Sequence, residues 1–225
     1  MSRFNGTLVG VIFSSLLLGA CTSQVTEKEQ YSGFLPDYSK LQEATSPSGH
    51  PVMRWIDPSF QPRTYSTVVF DSLLFYPAPK PDERVNRKTL QDLQQYASDS
   101  ARETIALRYK VVPNRQSIPA GQRAMQMRAA ITGVSASNEG MKWYEVVPIA
   151  AVVGATGAAA GYRDQNTELY IEAAINDAAT GKPLAYVVRK VFGKTLENNK
   201  EEITADDFKQ AIKEVNSDLS IMLNR

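Results

Sequence analysis

Two stretches of the chain alternate apolar and polar residues with a period of two. Met125, Met127, Ala129 and Ile131 alternate with Gln126, Arg128, Ala130 and Thr132, and Leu169, Ile171, Ala173 and Ile175 alternate with Glu168, Tyr170, Glu172 and Asn176. Successive side chains of a strand point to opposite faces, so each stretch predicts a strand with one buried and one solvated face. Leu184 to Phe192 predicts a third strand, and Asp177 to Pro183, with Gly181 in the turn, predicts an antiparallel hairpin joining it to the second. Tyr65 to Tyr76, rich in Val, Tyr, Phe and Thr, is expected to hold the first strand, and Tyr109 to Val112, stopped by Pro113, a short one.

Helical spacing appears twice. Thr89 with Asp92 forms a capping-box pattern followed by Leu90, Leu93, Ala97, Ala101 and Thr104, which predicts a helix ending near Leu107. Thr204 with Asp207 forms another, and Phe208, Ala211, Ile212, Val215, Leu219 and Met222 share one face of a terminal amphipathic helix. Between these elements and the N-terminus, Pro47, Gly49, Pro51, Pro58 and Pro62 argue for an irregular arm pinned to the domain by Trp55, Ile56 and Phe60. The order predicts an α+β domain over residues 64–225: a largely antiparallel sheet of about four to five strands, covered on one face by two helices, with an extended arm over residues 31–63.

The apolar run Leu8 to Leu18 follows Arg3 and is too short for an ordinary membrane span, as in a signal peptide. It ends in Leu18, Gly19, Ala20 and Cys21, which resembles the lipobox of bacterial lipoprotein precursors. The resemblance implies removal of residues 1–20 and acylation of Cys21, with residues 21–30 as a tether of at most about 30 Å. One acyl chain holds a protein to a bilayer only marginally; the two or more of a lipoprotein hold it stably. Thr22 in place of Asp after the cysteine favours the outer membrane under the sorting rule that the resemblance brings. Membrane lipid is therefore one expected partner.

The run Ser32, Gly33, Phe34, Leu35, Tyr38 and Leu41 resembles the opening of the DUF3313 family of uncharacterised bacterial lipoproteins, where Ser-Gly-Phe-Leu-x-x-Tyr-x-x-Leu follows the lipidated cysteine closely. The similarity continues to an Asp-x-x-Thr-Gly turn at Asp177, Thr180 and Gly181. It implies a lipoprotein and brings no mechanism.

Composition narrows the chemistry. Apolar residues make up 43% and charged residues 22%, as in an ordinary globular protein. Without Arg3 the basic and acidic side chains are equal at 24 each, which argues against a nucleic-acid partner. Cys21 is the only cysteine and His50 the only histidine, so no disulfide, thiolate zinc site or His-based metal motif is expected, and no cofactor. His50, in the proline-rich arm, is expected to be a solvated loop residue. Glu168 and Glu172, about 13 to 14 Å apart along a strand, are too far apart for a glycosidase pair, so they predict a solvated sheet face. Glu201, Glu202, Asp206 and Asp207 gather where acids stabilise a helix N-terminus.

One uncharged stretch remains, Val146 to Gly161, with Gly154, Gly157 and Gly161 as a candidate close-approach surface. Such a segment packs inside its own domain, meets a partner or touches the membrane. The whole suggests a lipid-anchored, periplasm-facing binding or structural protein without catalysis. The alternatives are an oligomeric secretion or pore-associated subunit using residues 146–161, or a carboxylate-based envelope hydrolase.

Overall fold

The computed structural model describes residues 25–138, 165–197 and 200–224. In chain order the strands are β1 (Gln42–Thr45), β2 (Pro51–Ile56), β3 (Thr67–Val69), β4 (Leu74–Phe75), β5 (Lys110–Val112), β6 (Ala124–Asn138), β7 (Gln165–Asp177) and β8 (Pro183–Leu196). Helix α1 (Arg87–Ala106) precedes β5, and α2 (Lys209–Leu223) follows β8. One sheet holds all eight strands in the order β1-β2-β8-β7-β6-β3-β5, with β4 beside β6. Its long central strands are the two that alternation predicted and the third expected at Leu184 to Phe192. β7 and β8 form the expected antiparallel hairpin, closed by the Gly181 N–H donating to the Asp177 carbonyl at 2.8 Å, with Gly181 at φ +74°. That backbone region is strained for any residue with a Cβ.

The α+β class stands, but the sheet has eight strands where four to five were expected. Part of the expected arm pairs into it: β1 and β2 form a hairpin, and β2 runs antiparallel to β8. The prolines bound these strands instead of interrupting them. Pro51 opens β2, a position where no ladder N–H is missed, and Pro58 and Pro62 lie beyond its end. Trp55 and Phe60 do pin the segment, packing on Tyr186 and Tyr65 with ring centroids 5.5 Å and 6.1 Å apart. Tyr65 to Tyr76 divides into β3 and β4, both parallel to β6, and β5 extends the parallel edge beyond β3. Strands of two or three residues are too short to display a period.

The helices start where side chains can cap them. Asn86, not Thr89, caps α1, its Oδ1 accepting from the Thr89 N–H at 2.9 Å. The Thr89 hydroxyl instead donates to the Ile203 carbonyl at 3.1 Å, and Asp92 pairs with Lys88 one turn back. The Thr204–Asp207 box forms as expected and opens a single 3-10 turn, Ala205–Phe208, that runs into α2. This turn meets β8 closely: a Cβ on Gly193 would lie 2.5 Å from the Asp207 carbonyl oxygen.

Both helices pack on one face of the sheet, where Leu93, Ile105 and Phe208 are wholly buried with Met125, Ile131 and Leu169. Each such side chain contributes about 1.5–3 kcal/mol by leaving water. The opposite face is covered as well. Phe34 and Leu35 are buried there against Ala130, Ala174, Tyr186 and Val188, with Tyr31, Tyr38, Leu41 and Trp55 packed around them.

Candidate functional site

Covering the second face overturns the expectation of a solvated strand. Glu168 and Glu172 are 2% and 0% exposed, and Tyr170 between them is buried. A buried carboxylate is tolerated only when its charge and lone pairs are matched. Lys190, also buried, stands beside Glu168 on the neighbouring strand, with Nζ 2.9 Å from Oε1, and the Tyr170 hydroxyl donates to Oε2 at 2.8 Å. Burial, and then the charge of Glu168, push the Tyr170 hydroxyl well above the ordinary tyrosine range. Room for the Tyr170 ring comes from Gly133 across the ladder, where a Cβ would sit 2.7 Å from its Cδ2.

Glu172 is matched by the N-terminal segment itself. Its Oε1 accepts the Ser32 N–H at 2.9 Å and its Oε2 accepts the Tyr38 hydroxyl. The same Tyr38 oxygen accepts the N–H groups of Gly33 and Leu35 at 2.9 and 3.1 Å, and its ring stacks on Tyr31 with centroids 4.6 Å apart. The Ser-Gly-Phe-Leu-x-x-Tyr run is thus a local knot that presents a backbone N–H and a hydroxyl to one buried carboxylate. Gly33, at φ +86°, makes the reversal that the knot needs. All four carboxylate oxygens of Glu168 and Glu172 thus have partners within the fold.

The helix-side face carries a different feature. Ala97 and Ala101 of α1 face Ala129, Ala173 and Ala185 of β6, β7 and β8, and small side chains on both walls leave a cavity of about 120 Å³. Val215, Leu219 and Met222 of α2 close it only in part, being half-buried where the stripe above them is fully buried. Its wall is apolar except near Ser46, Arg54, Arg189, Asn216 and Asp218.

At that polar end the Arg189 side chain is 4% exposed and forms an ion pair with Asp218 Oδ2. Ser48, in the turn between β1 and β2, donates its N–H and its hydroxyl to Asp218, both at 2.7 Å, and Arg189 donates a second N–H to the Ser48 oxygen at 3.1 Å. Burial works to raise the Asp218 carboxyl, but the Ser48 hydrogen bonds and the Arg189 guanidinium outweigh it and hold the group below the usual carboxylate range. The Asn216 amide donates to Ser100 at 2.7 Å. Among the described residues the buried Arg189 Nε finds no acceptor.

None of these residues stood out from periodicity, although one signal was present. Arg189 and Lys190 are adjacent cations inside the apolar run Tyr186 to Phe192. Neighbours on a strand face opposite ways, so with both faces covered each needs its own carboxylate. Lys190 takes Glu168 on one side and Arg189 takes Asp218 on the other.

The other candidates are scattered. Cys21 and the glycines 154, 157 and 161 lie outside the described residues. His50 is mostly exposed, its Nε2 3.3 Å from Glu214 of α2, while the nearby Ser48 hydroxyl is given to Asp218, so no Ser-His-acid relay is assembled there. Among the described residues no group of three His, Cys, Asp or Glu side chains could hold a metal ion, and no helix is long and apolar enough to cross a membrane.

Comparison with known proteins places the chain. It is 41% identical over 213 residues to the uncharacterized lipoprotein YdcL of Escherichia coli K12, covering 95% of this chain and 94% of the relative, and equally so to that of Escherichia coli O157:H7. Among solved structures it is similar to the PelC dodecamer from Paraburkholderia phytofirmans, at 10% identity and a TM-score of 0.36 over 75% of this chain and 96% of that one. It is also similar to a homolog of neuraminyllactose-binding hemagglutinin from Helicobacter pylori, at 9% identity and a TM-score of 0.43 over 80% and 92%. Such scores carry no argument about shared function. The profile of a family described as a protein of unknown function, DUF3313, matches residues 30–219, a span that holds the Ser32–Tyr38 knot, its Glu172 acceptor and the Arg189–Asp218 pair. The chain therefore belongs to the DUF3313 family.

Proposed function

We propose that this protein is a lipid-anchored component of the bacterial envelope, held in the outer membrane by acylated Cys21, with its α+β domain facing the periplasm as a binding module and not as an enzyme. The observation that carries the anchor is the Leu18-Gly19-Ala20-Cys21 sequence, in a chain that matches a lipoprotein over nearly its whole length. Support for a binding role comes from the two faces of the sheet. On one, the buried carboxylates Glu168 and Glu172 are engaged by Lys190, Tyr170, Ser32 and Tyr38, which leaves them poorly placed to move protons for a substrate. On the other lies a cavity of about 120 Å³ with a mostly apolar wall and a few polar side chains, the composition of a ligand site on a smaller scale.

Labelling with radioactive palmitate tests the anchor. The wild-type chain incorporates label and fractionates with outer membranes; Cys21→Ser incorporates none and accumulates as an unprocessed form. Equal labelling of the two would overturn the assignment.

A further inference from the structure

We propose that the end of the sheet where β6 stops and β7 starts faces the lipid bilayer, with Phe192 at the contact, so that the β7–β8 hairpin at the opposite end points away from the membrane. This rests on acylation of Cys21 as proposed above, and adds to it the orientation of the domain and the surface that lipid meets.

Part of the expected tether, residues 21–30, is docked on the domain. Thr26 is 3% exposed, and Lys28–Gln30 form a 3-10 turn. The Gln30 amide has a partner at each end: its Oε1 accepts the Glu27 N–H at 2.8 Å, and its Nε2 donates to the Tyr170 hydroxyl at 3.1 Å. That hydroxyl donates in turn to Glu168. Ser32, two residues further on, meets Glu172. The segment therefore runs alongside β7 in the same direction, and its N-terminal end lies at the level of Glu168.

Only the chain from Thr26 back to Cys21 then separates the domain from the lipid. Five residues span at most about 18 Å when fully extended. Along β7, at about 3.3 Å per residue, Gln165 lies about 10 Å from Glu168 in one direction and Asp177 about 30 Å in the other. β6 and β8 end at the same level as β7 starts, since Asn138 and Leu196 both pair with Gln165. A bilayer within reach of so short a chain meets this near end of the sheet and not the far one.

The near end also carries an exposed aromatic ring. On the second face of β8, Val188 and Lys190 are 1% and 7% exposed, whereas Phe192, opposite Glu168, is 40% exposed. Lys190 Nζ lies 5.0 Å from the ring centroid. Aromatic rings are at home at the headgroup level of a bilayer, between apolar and wet surroundings. Lys194 and Glu197 beyond it are both exposed and opposite in sign, so the tether and the ring, and not net charge, hold this end to lipid.

Fluorescence quenching tests the orientation on the mature, acylated protein. Cys21 is the only cysteine, and in the acylated chain its sulfur is bound to lipid, so an introduced cysteine takes a thiol-reactive bimane alone. Thr195→Cys places the label at the near end, where Thr195 pairs with Asn166, and Ala179→Cys places it in the exposed turn of the far hairpin. Each is reconstituted into vesicles of phosphatidylethanolamine and phosphatidylglycerol, with or without phosphatidylcholine that carries a nitroxide on its headgroup. The nitroxide is expected to quench the label at position 195 several-fold more strongly than the label at position 179. Glu197→Cys repeats the near-end measurement should Thr195→Cys fail to fold.

Equal quenching at the two ends, as for a domain that lies on its side or stands clear of the bilayer, overturns the proposal, and so does the reverse order. Flotation of the same samples reads the anchor separately. A chain that does not float with the vesicles overturns the anchor and the orientation with it, whereas one that floats without the expected order overturns the orientation alone.

Discussion

The hydroxyl of Tyr38 donates to Oε2 of Glu172, 134 residues further along the chain. Through this contact the Ser32–Tyr38 segment becomes part of the domain. Tyr38→Phe keeps the ring and its stacking on Tyr31 but leaves a buried carboxylate oxygen short of a donor. Stability should fall by about 1.5–3 kcal/mol, the range for hydrogen bonds to charged groups. Urea unfolding should show a lower midpoint, and amide exchange should quicken around residues 32–38. An unchanged midpoint would remove the knot from the list of stabilising features.

The same hydroxyl sets an alkaline limit. Burial, and then the Glu172 carboxylate, push Tyr38 up to about 12, against about 10 for an unfolded tyrosine. The folded state then holds its proton more tightly, so the Tyr38 contribution is complete below about pH 10 and is lost as pH rises toward about 12. Tyrosinate absorbance should rise together with loss of the fold over that window, and Tyr38→Phe should flatten this part of the stability profile. A profile unaffected by the substitution would contradict the assignment.

Lys190 and Glu168 form an ion pair that is about as buried as the hydrophobic core. Lys190→Met alone strands a carboxylate and should cost about 3–5 kcal/mol, while Lys190→Met with Glu168→Gln removes both charges and should recover much of the loss. Denaturant unfolding of the two single variants and the double variant measures the coupling. Strict additivity would mean that the two residues act independently.

Close packing calls for glycine at Gly133 and at Gly193, for different reasons. At Gly133 the obstruction is the Tyr170 side chain, which can tilt; at Gly193 it includes the Asp207 backbone carbonyl, which cannot move without the 3-10 turn. Gly133→Ala is expected to cost about 1–3 kcal/mol, as overpacking usually does, and Gly193→Ala to cost more. Thermal melts of the two variants decide the order, and a reversed order would show that the turn is more pliant than the packed ring.

Much of the fold follows from local pattern. Period-two alternation around Met127 and Ile171 places two central strands, the apolar run around Val188 places the third, the Thr204–Asp207 box and the stripe from Phe208 to Met222 place α2, and Gly181 closes the hairpin, because each depends on neighbours in sequence. Composition and Pro113 place β5, and the Val- and Thr-rich stretch places β3, but the division of Tyr65 to Tyr76 into β3 and β4 and their parallel pairing with β6 could not be read locally, since the pairing partner supplies that order. The hairpin β1–β2 was hidden by prolines that mark its bounds. Alternation identifies two faces of a strand but not what covers them. Glu168 and Glu172 looked solvated because nothing local shows that Lys190 of β8 pairs with the one and that Tyr38, more than a hundred residues away, closes over the other. The alanines that open the cavity come from α1, β6, β7 and β8 and acquire their meaning only when the helices settle on the sheet. Arg189 and Lys190 stand between the two cases: their adjacency in an apolar strand announces two buried charges, and only tertiary packing decides that Asp218 and Glu168 answer them, since each partner arrives from a different element.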